Sequence, residues 1–224
     1  MRTAISFMIA MFSFAGAAVA APAAGDTYVY RVINGYNNEV VGQVSQRVDK
    51  VEGGQIFISV SPDRPSLGLP RTDIVAADGN WLRHPLINHD VPVEYTFSPP
   101  YPAVLSSSSG NSWSTRVNAT NPATGRHTSV RVDGDVVGNE RITTPAGSFD
   151  TVRVKRRSYA GDWEPFKNET NIDEVEWFAP ALGRPVKTER KSGYYDQQRC
   201  ATRGACTLTR GDWFVYELVS HGRS

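Results

Sequence analysis

The chain has 224 residues, 24 Lys and Arg against 23 Asp and Glu, four His, two Cys and 40% hydrophobic residues. That length fits one β-rich domain, because sandwiches and barrels run to roughly 200–250 residues as a single unit. The two signs of charge are interleaved along the chain, which offers no basic cluster to a polyanion, and a nucleic-acid role is not expected.

Met1 and Arg2 form a short basic start, Ala4 to Phe14 an apolar run, and Ala18-Val19-Ala20 a small-residue cleavage site. Together they predict a signal peptide over residues 1–20, cut after Ala20. No cysteine stands at the cut, so lipid attachment there is not expected. A membrane anchor needs about 20 apolar residues, and no segment of the mature chain predicts a transmembrane span. The expectation is a periplasmic or secreted protein with one β-rich domain over residues 21–224 and, once Arg2 is removed, a formal charge of zero.

In chain order, Tyr28 and Tyr30 alternate with Val29 and Arg31, the period-two pattern of a half-buried strand. Residues 39–54 are too rich in β-branched side chains for a helix and end on Gly53-Gly54. Ile56, Ile58 and Val60 then share one strand face. An Asp78-Gly79 turn between apolar runs marks a hairpin. Residues 83–105 carry Pro85, Pro92, Pro99, Pro100 and Pro102 among Tyr95, Phe97 and other apolar residues, which predicts an edge strand at most. Residues 106–110 read as a low-complexity loop.

Two hairpins occupy residues 140–191. In the first, Thr144, Pro145, Ala146 and Gly147 suit a type I turn in a three-residue loop with a bulge, followed by Val152 and Val154 alternating with Arg153 and Lys155. The second places Val175 and Trp177 on the dry face and Glu174 and Glu176 on the wet one, turns over Pro180 to Gly183 and returns at Val186. Pro145, Gly147, Pro180 and Gly183 are read as structural turn residues. Between the hairpins, Trp163 stands in a polar loop. Cys200 and Cys206, in a chain bound for an oxidising compartment, predict a disulfide whose short loop contributes about 2 kcal/mol. Phe214, Tyr216 and Leu218 share one face of the last strand. No window carries three turns of helical periodicity. The pattern predicts an all-β fold with little helix: an antiparallel meander of about ten strands forming a curved sheet, half-barrel or open barrel.

The opening Gly-Asp-x-Tyr-x-Tyr strand, the Thr-Pro-Ala-Gly-Ser-Phe turn at 144–149, the Trp177-Phe-Ala-Pro180-x-x-Gly183-x-x-Val186 unit and the closing Tyr-Glu-Leu-Val strand resemble uncharacterised bacterial exported domains. These are the TapB-like and related domain-of-unknown-function β families. The resemblance is strongest over residues 134–192. It implies a curved sheet similar in shape to the LolA and LolB half-barrels, with a concave apolar face, and it implies no activity.

No catalytic signature is present. His84 and His89 stand five positions apart on a proline-broken segment, and surface histidine accounts for them better than a metal pair. Serines 106–109 lack a nucleophile elbow. No metal, cofactor or catalytic residue is predicted. The leading expectation is a non-enzymatic exported protein that binds a hydrophobic small molecule or lipid, or an envelope protein, on the concave face. Trp163, Trp177, Tyr194, Tyr195, Tyr95 and Phe97 are the candidate binding residues. One alternative is a structural or interaction module of the cell envelope with no small ligand. Another is an envelope hydrolase acting on glycan or peptide, which requires acidic residues or a histidine to converge with Trp163 or Tyr194 in one cleft.

Overall fold

A computed structural model describes residues 20–86, 94–103, 111–161, 167–196 and 208–223. Alternating apolar residues put one side of each segment in the dry, and pairing buries that side in a closed antiparallel barrel of twelve strands. The strands are β1 (Thr27–Asn34), β2 (Val40–Glu52), β3 (Gln55–Pro62), β4 (Arg71–Ala76), β5 (Trp81–Pro85) and β6 (Glu94–Tyr101). They continue with β7 (Ser112–Thr120), β8 (His127–Thr144), β9 (Gly147–Gly161), β10 (Lys167–Ala179), β11 (Arg184–Asp196) and β12 (Leu208–Gly222). Each strand pairs with its neighbours in sequence, and β1 pairs with β12 to close the ring. One 3-10 turn, Pro65–Leu67, lies between β3 and β4. Of the closures open to such a meander, the sheet takes the complete one, in which every strand has a partner on both sides.

Register shifts in β1, β2 and β8 bend the strands and increase their twist, which helps the sheet to close. Gly53 and Gly54, with φ of +59° and +75°, make the two-residue β2–β3 turn, whose geometry needs positive φ at both positions. The β8–β9 turn differs from the expected three-residue loop. Thr144 pairs directly with Gly147, so Pro145 and Ala146 alone make the connection. β6 is also more than an edge strand, because it pairs with both β5 and β7. Its ladder to β7 runs over Thr96–Ser98, so Pro99 and Pro100 fall where that ladder asks for no donor.

A twelve-stranded barrel is wider than the eight-stranded size that side chains just fill. Large rings therefore do much of the packing, in two apolar clusters. The first holds Tyr28, Tyr30, Ile58 and Leu218; the second holds Tyr95, Phe97, Tyr101 and Phe178. Trp81 packs against both. The outer face of β9–β12 and β1 carries ion pairs such as Arg157–Asp173 and Arg31–Glu217–Lys187. A membrane-spanning barrel turns an apolar band outward; this face carries paired charges. Two tryptophans cover glycines: a Cβ on Gly134 would stand 2.1 Å from Trp113, which shares the inward phase of Val117 on β7, and one on Gly35 2.4 Å from Trp213 on the outer face.

The β10–β11 turn spans Pro180 to Gly183, where Gly183 has φ of +63° and its N–H donates to the Ala179 carbonyl (3.0 Å). A Cβ there would lie 3.0 Å from Pro22 Cδ. Gly183→Ala is expected to lower stability by about 1–2 kcal/mol, the cost of left-handed backbone for an L side chain. It should read out as a reduced urea midpoint at unchanged slope. An unchanged midpoint would show that the turn relaxes.

Candidate functional site

β10 reverses the expected assignment of faces. Glu174 and Glu176 are 4% and 5% exposed and point into the barrel in phase with Ile172 and Phe178. Val175 and Trp177 take the other face. The cause lies across the ladder, since β9 sets Arg156 directly opposite Glu174 and β11 sets Arg190 opposite it on the other side. Three strands thus place an Arg–Glu–Arg row inside the barrel.

Arg156, 3% exposed, donates from Nη1 to the Ala103 carbonyl and to Glu176 Oε2 (3.0 Å). Its Nη2 lies 3.5 Å from Glu174 Oε2, and Arg190 Nε lies 3.7 Å from Glu174 Oε1. The Glu174 carboxylate is therefore held by charge at distances longer than the 2.7–2.9 Å of a tight charge-assisted bond. Burial pushes its pKa up, but Arg156 and then Arg190 outweigh that, and the net shift is downward. It stays ionised.

A second charged group faces this row from β4 and β5. Arg71 Nε donates to Asp73 Oδ1 (3.0 Å) and His84 Nδ1 to Asp73 Oδ2 (2.9 Å). Burial opposes the Asp73 charge, yet His84 and Arg71 outweigh it and bring its pKa down to about 2. For His84, burial is the larger influence, so its pKa falls despite Asp73, and the ring is neutral at pH 7. Trp81 stacks on His84 (3.8 Å between ring centroids) and on Tyr101 (4.8 Å), with the Arg156 guanidinium 5.4 Å from its ring. The expected surface histidine is thus, at His84, a largely buried partner of an aspartate; His89 lies outside the described residues. Among the described residues, no group of three His, Cys, Asp or Glu side chains is placed to hold a metal.

These groups border a cavity of about 130 Å³ whose wall includes Asp73, His84, Glu174, Glu176, Arg71, Arg184 and Arg190, with Tyr30, Val44, Ile58, Trp81 and Phe178. This differs from the continuous apolar face implied by the half-barrel resemblance. The apolar side chains pack into two clusters, and the space left beside them is charged.

None of the described candidate binding residues lines the cavity. Tyr95 and Phe97 are core residues, 3% and 6% exposed. Trp177 is half-buried, donates from its ring nitrogen to Glu140 Oε1 (2.7 Å) and lies under Lys187. Tyr194 and Tyr195 sit near the far end of β11, half-buried and paired with the start of β12. Trp163, Cys200 and Cys206 fall outside the described residues, as do residues 1–19 of the expected signal peptide.

Residues 101–198 match the DUF3108-like family. That match covers the strands bearing Arg156, Glu174, Glu176 and Arg190, and it agrees with the resemblance to uncharacterised exported β families. Two crystal structures share the fold. One is a candidate lipoprotein from Parabacteroides distasonis, 16% identical, with TM-score 0.52, covering 90% of this chain and 97% of the other. The other is a candidate exported protein with a YmcC-like fold from Bacteroides fragilis, 15% identical, with TM-score 0.54, covering 92% of this chain and 100% of the other. No curated protein matches the chain.

Proposed function

We propose that this chain is an exported, non-enzymatic barrel that holds a small molecule with a polar or charged group in its interior cavity. The observation that carries this reading is the gathering of arginines, carboxylates and a histidine around about 130 Å³ of space. Buried ion pairs are poor devices for stability, since apolar replacements of the same volume are often neutral or better. Perturbed titrating groups at a cavity are instead a mark of function. The N-terminal pattern through Ala20, and a fold shared with a candidate lipoprotein and a candidate exported protein, support export.

The cavity is smaller than the roughly 300–1,000 Å³ of a pocket for drug-sized ligands, which argues against a whole lipid. Asp73 and Glu174 converge with His84, but the cleft expected of a hydrolase calls for Trp163 or Tyr194 beside them; Tyr194 does not line this cavity and Trp163 lies outside the described residues. Both carboxylates are held ionised, Asp73 by His84 and Arg71 and Glu174 by Arg156 and Arg190, and a carboxylate with a lowered pKa is a poor proton donor.

A molecule bound to the folded state raises stability by mass action, by about 2.7 kcal/mol when present at a hundredfold over its dissociation constant. Protein taken from its exported compartment is therefore expected to show a higher urea midpoint than the same protein after unfolding, dialysis and refolding. Equal midpoints would count against the reading.

A further inference from the structure

Four guanidiniums, those of Arg71, Arg156, Arg184 and Arg190, meet three carboxylates, Asp73, Glu174 and Glu176, in and beside the cavity, while His84 is neutral. One positive charge is left over, and the geometry shows where it resides. Arg71 pairs with Asp73, Arg156 with Glu174 and Glu176, and Arg190 with Glu174. Arg184 makes no ion pair among the described residues. Its Nη2 donates to Gln46 Oε1, its guanidinium lies 5.7 Å from the Tyr28 ring, and its Nε is buried with no acceptor. A buried charged donor left without an acceptor costs on the order of 1–3 kcal/mol or more, and an anion in the cavity would remove that cost.

Arg184 opens β11, and because a register shift lies between Pro185 and Lys187 its direction is given by its contacts: it lines the cavity and reaches Gln46. Beside it, Tyr30 donates its hydroxyl to the Pro185 carbonyl (2.9 Å), and Tyr30, Val44 and Phe178 supply apolar wall. A charged anchor beside apolar wall, in a space close to the engineered cavity of about 150 Å³ that takes benzene, selects a compact molecule carrying one negative group.

We propose that Arg184 anchors the carboxylate of a small organic monoanion, about the size of benzoate or smaller, inside the barrel. This rests on the cavity being a ligand site, and the test separates the two claims. Calorimetric titrations would use benzoate and its neutral isostere benzamide, on the wild-type chain and on Arg184→Gln and Arg184→Lys. Benzoate is expected to bind the wild type at least tenfold more tightly than benzamide. Arg184→Gln should weaken benzoate at least tenfold and leave benzamide unchanged, and Arg184→Lys should restore part of the loss; urea midpoints would show that both variants fold. Equal binding of benzoate and benzamide, or benzoate binding indifferent to Arg184→Gln, would overturn the anchor while leaving the cavity as a ligand site. Failure of both probes to bind the wild type would overturn the cavity reading and the anchor with it.

Discussion

Glu174→Ala is expected to cost about 3–5 kcal/mol of folding free energy, the range for removing one partner of a buried charge pair. The reason is positional. Glu174 lies between Arg156 and Arg190 on the neighbouring strands, so its loss leaves Arg190 without a carboxylate and Arg156 with Glu176 alone. Glu174→Gln should behave similarly, because it keeps the shape and removes the charge. Asp150→Ala breaks an exposed pair with Arg141 at 3.5 Å and should change stability by less than about 0.5 kcal/mol. Simultaneous apolar replacement of Arg156, Glu174, Glu176 and Arg190 should leave stability nearly unchanged or raise it, since no charge is then orphaned among them. Urea midpoints for the four proteins check the series. A Glu174→Ala midpoint equal to that of Asp150→Ala would mean that water reaches the row and screens it.

Acid is expected to weaken the fold in two windows. Above pH 6.5 His84 is neutral folded and unfolded. Burial lowers its pKa in the barrel, so as the pH falls below 6.5 the unfolded chain binds a proton that the folded chain refuses, and stability declines. His84→Gln should flatten that window. Asp73 contributes fully above pH 3.8 and loses its contribution as the pH falls from 3.8 to about 2, a change of about 2 kcal/mol. Glu174, lowered from 4.5, adds loss in the same direction below that pH. Urea midpoints measured from pH 7.5 down to pH 2 check this, and stability that rose on acidification would contradict it.

Much of the fold was legible because it is local. Tyr28 and Tyr30, Ile56 to Val60, and the Gly53-Gly54 and Asp78-Gly79 turns each announce a strand or a turn through immediate neighbours, and an antiparallel meander joins neighbours in order. The site was not legible because its bonds are distant. Arg184 meets Gln46 and Arg190 meets the Pro85 carbonyl across 138 and 105 positions. On β10, apolar residues occupy both phases, Ile172 and Phe178 in one and Val175 and Trp177 in the other, so alternation alone could not choose the face of Glu174. Arg156 offered the available clue: it shares its phase with Val154, Ser158 and Ala160, the small and apolar side of β9. Tyr95 and Phe97 were visible as apolar residues, but a wide barrel uses such rings to fill itself, and nothing local separates that role from ligand contact.

On the proposed reading, the charged interior is kept for what it binds. Native mass spectrometry of the chain purified from its exported compartment, with the released small molecules identified after denaturation, tests it most directly. A retained organic anion small enough for about 130 Å³ is expected, as is its loss from Arg184→Gln. A bare protein mass in every preparation, or a retained diacyl lipid, would contradict it.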